Sequence, residues 1–371
     1  MSQRINGVTM PKWGLSMQKG KVNRWLANNG DVLQAGSEIV EVESDKIAGV
    51  IEAAAGGVLR RQVAHAGATL PVGALLGVIS ENEVTDSEIE QFVSEFQSRF
   101  VAGEIEEQNV PAGPESVTVD GLNVSYLRRG ETGDPVLLIH GFGGDKNNWL
   151  FNHEALAATH VVYAMDLPGH GSSDKRIADP TLGGFAKLIL RFADELKLEV
   201  VHLVGHSLGG AISLIAALES SKRVKSVTVL ASAGLGPEID AGYLRGFLAT
   251  NSRKELKNLV ERLFANGSLV TRQLVDDLLR YKRIDGVQSA LEEILSRFLD
   301  GDRQRTVLIQ EIKNLKIPIR AIWGQGDRII PQAHAAAVGQ DFHILPNAGH
   351  MVQMEAANEV NRLLCRTGVR T

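Results

Sequence analysis

The hydrophobic and polar positions of residues 1–80 repeat with a spacing of 37 residues. The matching positions are Gly20 and Gly57, Gly30 and Gly67, Leu33 and Leu70, Gly36 and Gly73, and Val42 and Ile79. Short apolar runs separated by glycine turns are typical of β-strands. A twofold repeat of such runs predicts two similar half-sheets that face each other as a small sandwich. Between the halves, residues 43–49 are expected to form a turn that holds Lys46 in solvent.

From residue 115 onward, short apolar runs alternate with segments of helical spacing. The apolar runs cover 136–139, 161–164, 200–204, 227–230, 319–322 and 343–346. Strands and helices in alternation imply a mostly parallel sheet that is covered by helices. Active sites in such sheets lie at the carboxyl ends of the strands. The residues that follow each run are therefore the candidates for chemistry.

An acidic stretch separates the two regions. Residues 81–110 contain 9 acidic residues and 1 basic residue, a net charge of −8, whereas the charge is +2 before this stretch and +1 after it. Such a stretch is typical of a solvated connector. The sequence Pro-Ala-Gly-Pro at 111–114 then breaks any helix. The predicted domains are 1–80, a connector over 81–114, and 115–371.

One amphipathic helix is predicted inside the connector, from about residue 86 to 102. Its apolar residues recur at helical spacing and are Ile89, Phe92, Val93, Phe96 and Phe100. Thr85 with Glu88, or Ser87 with Glu90, fits a capping box at its start. An isolated helix of this length is marginal in water. We expect it to pack on a neighbouring domain, and the alternative is a docking helix for another protein.

Composition narrows the class of protein. A chain of 371 residues with 44% hydrophobic and 22% charged residues is an ordinary globular chain of about two to three domains. The net charge of −5 shows no basic bias, which argues against a nucleic-acid partner. The single cysteine, Cys365, excludes an intramolecular disulfide and a cysteine-based zinc cluster.

Targeting signals are not evident either. The first ten residues have no apolar core of signal-peptide type. No apolar run approaches the ~20 residues of a membrane-spanning helix. We therefore expect a cytoplasmic protein without a membrane partner. No histidine pair has metal-binding spacing with carboxylate support, so we predict no metal site.

Ser207 is the candidate nucleophile. It lies in Gly-His-Ser-Leu-Gly at 205–209, between the apolar run 200–204 and a helical stretch. This is the context of a G-x-S-x-G nucleophile elbow, a sharp strand-to-helix turn that exposes the serine hydroxyl. The sequence His-Gly-Phe-Gly-Gly at 140–144 has a flexible backbone that can direct an N–H group at an oxyanion. We assign the two oxyanion donors to the backbone amides of Phe142 and Leu208.

The candidate acid and base follow later strands. Asp327 ends Gly-Gln-Gly-Asp and His350 ends Asn-Ala-Gly-His. The chain order Ser207, Asp327, His350 resembles that of the α/β-hydrolase family. The resemblance covers about residues 115–370 and implies that Ser207 is the nucleophile, that His350 is the base and that Asp327 orients the imidazole. Asp166 is the alternative acid.

The remaining histidines are assigned lesser roles. His170 is placed at the pocket without a role in proton transfer, and the others are interpreted as turn, core or surface residues. These others are His65, His140, His153, His160, His202, His206, His334 and His343.

The resemblance to the α/β-hydrolase family also implies a helical cap over the active site. Residues 235–305 are expected to form this cap and to limit the entry of water. Basic residues on the cap, Arg245, Arg253 or Lys254, are candidates to bind phosphates, although a solvated helix face explains them equally well.

The region around Lys46 also has a specific pattern. Its characteristic residues are Gly20-Lys21-Val22, Trp25, Gly30-Asp31, Gly36 and Glu43-Ser44-Asp45-Lys46. This pattern resembles the lipoyl domain family over residues 4–80. The resemblance implies that Lys46 carries lipoic acid in amide linkage. Related biotin-carrier domains place methionine on each side of the lysine, whereas Asp45 and Ile47 stand there in this chain, which favours lipoate.

The whole chain, a lipoyl domain fused to a triad hydrolase domain, resembles the acetyltransferase components of bacterial acetoin dehydrogenase systems. The resemblance implies transfer of an acetyl group from lipoyl-Lys46 to coenzyme A, with acyl-Ser207 as the expected intermediate. It implies as partners a thiamine-diphosphate acetoin-cleaving component and dihydrolipoyl dehydrogenase, and it leaves a homo-oligomer open.

The usual acyltransferase domain of 2-oxo acid dehydrogenase complexes has an H-x-x-x-D-G motif. The residues four positions before the aspartates of Asp-Gly pairs are here Ser116, Tyr281 and Ser296. None is histidine, so the usual domain is absent. Two alternatives stay open, a lipoyl-tethered thioesterase or carboxylesterase, and a carrier with an inactive hydrolase domain.

Overall fold

The computed structural model describes residues 5–11, 19–34, 36–43, 48–53, 56–80, 83–101 and 114–365. The chain divides near residue 111 into an N-terminal and a C-terminal compact unit. In the described part of the chain, no helix is both long enough and apolar enough to cross a membrane.

The N-terminal unit consists mainly of short strands. These are β1 (Ile5–Thr9), β2 (Lys19–Trp25), β3 (Val32–Leu33), β4 (Glu38–Glu43), β5 (Ala48–Glu52), β6 (Gly57–Gln62), β7 (Thr69–Pro71) and β8 (Leu75–Ser80). They form two four-stranded sheets, in the orders β1-β8-β6-β3 and β5-β4-β2-β7. Val22, Ile39, Leu59 and Leu76 are completely buried and supply the core. The predicted all-β sandwich is confirmed.

The 37-residue repeat relates one sheet to the other. Strands β2, β3 and β4 correspond to β6, β7 and β8, yet β3 pairs with β6 and β7 pairs with β2. Each half therefore completes the sheet of the other, and both sheets depend on both halves. The repeated glycines share a left-handed conformation, with φ of +96° at Gly30, +87° at Gly67, +87° at Gly36 and +84° at Gly73. Glycine adopts this conformation without steric cost.

The hairpin predicted to hold Lys46 connects β4 and β5. Glu43, the last residue of β4, pairs with Ala48, the first residue of β5, in an antiparallel register. Lys46 belongs to the short connection between them and lies outside the described residues. In the other half of the repeat, the equivalent strand ends are Ser80 and Ile5, which also pair. The connection between β4 and β5 thus corresponds, in the other half, to the place at which β1 begins and β8 ends.

Helix α1 (Asp86–Val101) is present where the apolar spacing predicted a helix. The capping box at its start uses the first of the two candidate pairs, because the amide of Glu88 donates to Thr85 Oγ1 at 3.3 Å and the amide of Thr85 donates to Glu88 Oε2 at 2.7 Å. Ile89 is buried with Leu75 and Val78 of β8. The helix packs on the sandwich of its own unit.

The C-terminal unit contains a larger sheet. Its strands and the strands of a small hairpin are β9 (Glu115–Val119), β10 (Leu122–Arg129), β11 (Pro135–Ile139), β12 (Val161–Met165), β13 (Val201–His206), β14 (Val224–Leu230), β15 (Leu299–Asp300), β16 (Arg303–Gln304), β17 (Ile319–Gly324) and β18 (Phe342–Leu345). The 8-stranded sheet has the order β18-β17-β14-β13-β11-β12-β10-β9. Strands β11 to β14, β17 and β18 are parallel, as predicted. The antiparallel strands β9 and β10 were not expected from the sequence.

Helices cover this sheet and form the predicted cap. They are α2 (His153–Ala157), α3 (Leu182–Glu195), α4 (Leu208–Glu219), α5 (Ala241–Ala249), α6 (Arg253–Val260), α7 (Arg272–Lys282), α8 (Val287–Phe298), α9 (Ile309–Ile312), α10 (Val352–Glu355) and α11 (Ala357–Cys365). Helices α5 to α8 and the hairpin β15–β16 lie in the insertion between β14 and β17. The cap expected at 235–305 lies within this insertion, which spans 231–318.

The middle of the sheet is the core of the C-terminal unit. Leu138, Val162, Leu230 and Ile322, from four strands, are completely buried in one cluster with Trp149. Apolar side chains on both faces of a parallel sheet explain the continuous apolar runs in the sequence. This core fixes the carboxyl ends of the strands, where the polar motifs begin.

Candidate active site

Ser207 occupies a strained turn between β13 and α4. Its φ is +53° and its ψ is −117°, a conformation that residues with a side chain rarely adopt. The flanking glycines make the turn feasible. A Cβ on Gly205 would lie 2.3 Å from the carbonyl oxygen of Gly209, and a Cβ on Gly209 would lie 2.3 Å from that of Ile139. The G-x-S-x-G spacing therefore follows from close backbone approach on both sides of the serine.

The structure brings Asp327 and His350 together. Oδ2 of Asp327 lies 2.9 Å from Nδ1 of His350, and the two side chains are 0% and 4% exposed. The other carboxylate oxygen of Asp327 accepts from the amides of Ile329 at 2.8 Å and Ile330 at 3.0 Å. The carboxylate is thus fixed by main-chain donors, and it fixes the imidazole ring in turn.

The alternative acid, Asp166, has a different partner. Its carboxylate forms a buried ion pair with Lys146, at 2.5 Å from Nζ. It also accepts from the amides of Lys146 and Ser172, both at 2.7 Å. These contacts tie the loop after β11 to the loop after β12. Asp166 is therefore engaged in loop structure, and the carboxylate beside His350 belongs to Asp327.

Ser207 and His350 lie on neighbouring loops. Nε2 of His206 is 2.9 Å from the carbonyl oxygen of His350, and the two rings are 4.8 Å apart between centroids. Within the described residues, no hydrogen bond joins the Ser207 hydroxyl to the imidazole of His350. Nucleophile and base are often looser before substrate binds than during the reaction.

The loop at 140–144 also lies against Ser207. A Cβ on Gly141 would be 2.9 Å from the Cβ of Ser207. The amides of Phe142 and Leu208 donate no hydrogen bond to another described residue. Leu208 is the first residue of α4, so its amide also belongs to the positive end of the helix dipole. Two unpaired amides beside a serine hydroxyl are what an oxyanion needs.

His170 holds the loop at 140–144, the predicted oxyanion loop, and this contact was not indicated by the sequence. Its Nε2 accepts from the amide of Gly143 at 3.1 Å, and its Nδ1 lies 3.2 Å from the carbonyl oxygen of Pro168. The ring of His140 accepts from the amide of Leu167 at 3.0 Å in a similar way. Burial holds the pKa of both imidazoles below the ordinary value. Neutral rings can accept these hydrogen bonds, whereas protonated rings cannot.

Helix α5 of the cap covers the oxyanion loop. The ring of Phe247 lies 6.4 Å from that of Phe142, and a Cβ on Gly143 would be 2.8 Å from it. Lys282, which is 5% exposed, donates from Nζ to the carbonyl oxygens of Phe247, Leu248 and Thr250. These carbonyls end α5, so a buried lysine stabilises the helix end that presents Phe247. Burial lowers the pKa of Lys282.

The three basic cap residues considered as phosphate ligands differ in their contacts. Arg245 pairs with Asp302 and also contacts the carbonyl oxygen of Gly301. Arg253 pairs with Asp276 at 2.6 Å. Both charges are matched by carboxylates, which leaves Lys254 as the candidate with an exposed position and no such carboxylate contact. Among the described residues, no group of three potential metal ligands occurs.

The other histidines vary in environment. His202 is buried, and its Nδ1 lies 2.6 Å from Ser226 Oγ. His153 is also buried, and burial lowers its pKa to about 3. His334 contacts Glu238 at 2.8 Å, and His343 contacts Asp341 at 3.2 Å. These partners are consistent with structural roles away from Ser207.

Known proteins match the chain in both of its regions. The family described as alpha/beta hydrolase fold matches residues 134–357, and the family described as biotin-requiring enzyme matches residues 6–79. A solved structure of a meta-cleavage product hydrolase (CumD) is 27% identical, with a TM-score of 0.63, and covers 70% of this chain and 98% of its own.

Two relatives match over both regions together. A protein of Cupriavidus necator is 45% identical over 98% of this chain and 97% of its own length. A protein of Pseudomonas putida is 47% identical over 98% of each chain. Each is named the dihydrolipoyllysine-residue acetyltransferase component of an acetoin cleaving system. With a lipoyl-type sandwich ahead of an α/β-hydrolase domain, the chain belongs to this family of acetyltransferase components.

Proposed function

We propose that this protein transfers an acetyl group from a lipoyl group on Lys46 to coenzyme A, through an acyl-Ser207 intermediate, as part of an acetoin cleaving system. The observation that carries the proposal is the buried Asp327–His350 pair beside the strained Ser207 turn, in a chain that also has a lipoyl-type sandwich. Relatives with this name over the whole chain support it.

The N-terminal unit fits a lipoyl group. The pairing of Glu43 with Ala48 makes the connection around Lys46 short and fixes where the lysine leaves the sandwich. Lipoate in amide linkage on Lys46 would supply a thiol that carries the acetyl group as a thioester. A long side chain on a fixed hairpin raises the local concentration of what it carries, as a flexible linker does.

The C-terminal unit supplies the nucleophile. Ser207 Oγ attacks the thioester carbonyl carbon, and His350 accepts the hydroxyl proton, since a serine hydroxyl is a weak nucleophile until a base removes its proton. Asp327 accepts a hydrogen bond from Nδ1 of His350. This contact keeps the imidazole in the tautomer whose Nε2 is free to accept the serine proton. His350 then returns the proton to the departing thiol.

The amides of Phe142 and Leu208 hold the carbonyl oxygen while it is negative. They are already fixed by the elbow and by the loop that His170 supports, so they need no rearrangement as charge develops. In the second step, His350 takes the proton of the coenzyme A thiol, and the thiolate attacks the carbonyl carbon of the acyl-serine. The ester bond to Ser207 Oγ breaks, and His350 returns the proton to that oxygen. Water would consume the same intermediate, so the cap must exclude it.

The cap residues nearest the oxyanion loop suit this exclusion. Phe247 and Tyr243 of α5 are 3% and 6% exposed, and their rings are 6.3 Å apart. They place apolar surface above the loop that contains Phe142. We propose that this surface keeps water from the acyl-serine.

The proposal extends to organisation and partners. We propose that residues 1–80 with α1 form the carrier domain, that residues 115–371 form the transferase domain, and that 235–305 is its cap. A thiamine-diphosphate acetoin-cleaving component would load the carrier, and dihydrolipoyl dehydrogenase would reoxidise it. Coenzyme A is a cytoplasmic metabolite, so we propose that the reaction takes place in the cytoplasm. Association into a homo-oligomer remains part of the proposal.

Product analysis tests the proposed function. The full-length protein is supplied with acetyl-dihydrolipoamide and increasing coenzyme A, and acetyl-CoA and acetate are quantified. We expect mostly acetyl-CoA, with a rate that rises with coenzyme A until saturation. Acetate formed at a rate indifferent to coenzyme A would show a thioesterase instead. If neither acetyl-CoA nor acetate is formed, the protein is a carrier with an inactive hydrolase domain.

A further inference from the structure

Residues 261–266 of the cap, here named the docking segment, lie on the two loops that carry Asp327 and His350. The amide of Met351, next to His350, donates to the carbonyl oxygen of Leu263 at 3.1 Å. The segment connects α6 to the later part of the cap. The cap is therefore joined to the catalytic base by a main-chain hydrogen bond.

Glycines allow this contact. A Cβ on Gly349, the residue before His350, would lie 2.6 Å from the amide nitrogen of Ala265. A Cβ on Gly326, the residue before Asp327, would lie 3.4 Å from the Cβ of Ala265. The amide of Gly326 also donates to the carbonyl oxygen of Ala348 at 2.8 Å. Ala265 thus lies against both loops at once.

Glu355 connects the docking segment to the histidine loop. Its Oε2 accepts from the amide of Gly349 at 2.6 Å. Its Oε1 accepts from the amides of Ala265 at 2.9 Å and Asn266 at 3.2 Å. Burial raises the pKa of Glu355, whereas the three amides and Arg328 favour its ionised form. Hydrogen bonds to an ionised acceptor are stronger than neutral ones.

Arg328 connects the same segment to the aspartate loop. It follows Asp327 directly, and its Nη2 donates to the carbonyl oxygens of Phe264 at 2.6 Å and Glu261 at 3.2 Å. A carboxylate therefore holds the amides of the segment from one loop, and a guanidinium holds its carbonyls from the other. Both side chains make these contacts with main-chain atoms.

We propose that Glu355 and Arg328 are positioning residues that make docking of the cap and alignment of Asp327 with His350 a single event. When the segment is docked, Gly349 and Gly326 have no freedom to move, and the residues that follow them are held for proton transfer. When the segment lifts, both loops lose a support. The inference rests on the roles proposed for Asp327 and His350.

The first test is Glu355→Gln in the full-length protein. Glutamine keeps the size but has only one acceptor oxygen, so it cannot accept from both sides. We expect kcat with p-nitrophenyl acetate to fall by about 10–100-fold, because small displacements of catalytic groups have effects of this size. We expect KM to change by less than about twofold, since no substrate contact is lost. Glu359→Gln, an exposed carboxylate on α11 paired with Arg362, is the matched control and should not change either constant.

Hydrogen exchange supplies a measurement that does not depend on turnover. Glu355→Gln should speed exchange of the amides in 261–266 and 348–351 and leave the core strands β11 and β13 unchanged. A residue with a general structural role would instead speed exchange throughout the unit and lower its melting temperature. Unchanged exchange in both segments, or an unchanged kcat, would overturn the proposal.

A second variant keeps the proposal falsifiable if Glu355→Gln does not fold. Arg328→Met removes the other support and should give the same local exchange and a fall in kcat. Where both single variants fold, the double variant should be no slower than about the slower single one, because both act through one segment; multiplied losses would show independent roles and would contradict the proposal. Wild-type protein that forms acetate but no acetyl-CoA would refute the proposed function while leaving these outcomes interpretable.

Discussion

The two units of this protein present their functional groups in different ways. In the N-terminal unit, the predicted lipoyl lysine belongs to the short connection between β4 and β5, and two similar half-sheets support the strands on either side of that connection. In the C-terminal unit, three separate loops contribute Ser207, Asp327 and His350. The first and the last of these residues are more than a hundred positions apart in the sequence. A carrier needs one fixed exit point, whereas acyl transfer needs several groups at defined distances.

This difference between the two units predicts which substitutions should impair the function of each unit. In the proposed function, the carrier depends on Lys46 and on its immediate neighbours in the sequence, so most other surface positions should tolerate change. Function in the transferase depends on main-chain positions that remote residues hold, such as Gly143 held by His170. Substitutions that never contact substrate should therefore impair this unit.

The largest expected effect separates the two units completely. Lys46→Arg should abolish lipoylation, because no amine remains for the amide linkage, while turnover of free acetyl-dihydrolipoamide persists. Intact-mass analysis of protein from a lipoate-competent host measures the first, and product analysis measures the second. Lys21→Arg, at an exposed lysine of the same unit, is the control and should keep the modification. A modified Lys46→Arg protein would place the lipoyl group elsewhere.

The next effect distinguishes the two candidate acids. Asp327→Asn should lower turnover by about 10⁴-fold, because the imidazole loses the partner that selects its tautomer. Asp166→Asn should instead destabilise the unit by about 3–5 kcal/mol, because it leaves Lys146 buried without its counter-charge. Thermal unfolding and turnover are measured for both variants. If Asp166→Asn lost turnover while Asp327→Asn lost only stability, Asp166 would be the carboxylate that supports His350.

A smaller effect is expected at His170. His170→Phe should lower kcat by roughly 10–100-fold, because Gly143 loses its acceptor and the neighbouring amide of Phe142 loses its fixed direction. His170→Gln, which restores an acceptor, should recover part of the rate. His343→Phe at the sheet edge serves as the control. Equal rates for wild type and His170→Phe would show that the loop needs no such support.

The same residue predicts a pH dependence of stability. Burial lowers the folded-state pKa of His170 below its ordinary value of 6.5, so the unfolded chain binds the proton more readily. The contribution of neutral His170 to the free energy of unfolding is therefore complete above about pH 6.5. It is lost as the pH falls from 6.5 toward the lower pKa of the folded state. Chemical unfolding at several pH values should show a shallower acid loss in His170→Phe than in wild type.

The smallest effect concerns the carrier unit. Burial and the neighbouring Glu38 raise the pKa of Glu52 from 4.5 to about 7. The folded state then binds more protons than the unfolded chain between these values, so stability falls as the pH rises from about 4.5 to 7. Glu52→Gln should raise the free energy of unfolding at pH 8 by less than about 1 kcal/mol, since the group is half exposed. Glu38→Gln should give part of this gain. If wild type and Glu52→Gln showed the same pH dependence of the free energy of unfolding, this prediction would be wrong.

The features that the sequence predicted are the local ones. The glycine repeat predicted turns, and the structure gives their glycines a left-handed conformation. Gly-x-Ser-x-Gly predicted the sharp turn at Ser207, because steric limits act within a few neighbouring residues. The apolar runs predicted the parallel strands for the same reason. Strands β9 and β10 were missed although they form a local hairpin across Asp120 and Gly121, a dipeptide that is a turn signal. Only the pairing of β10 with β12 joins residues far apart in the sequence.

The residues that support the site were missed for a related physical reason. Glu355 meets Ala265 across 90 positions and Lys282 meets Phe247 across 35 positions, so neither contact has a pattern in the sequence. His140 and His206 were interpreted as elements of turns, yet their rings accept or donate hydrogen bonds that join separate loops. Such contacts exist only after the fold has formed.

The most direct test of the account is capture of the acyl-enzyme. Full-length protein is mixed rapidly with acetyl-dihydrolipoamide, quenched in acid and digested, and the acetylated peptide is identified by mass spectrometry. The account predicts acetyl on Ser207, its loss as acetyl-CoA when coenzyme A is added before the quench, and no label in Ser207→Ala. Acetyl-CoA produced at wild-type rate by Ser207→Ala, with no acetyl-serine at any time, would contradict it.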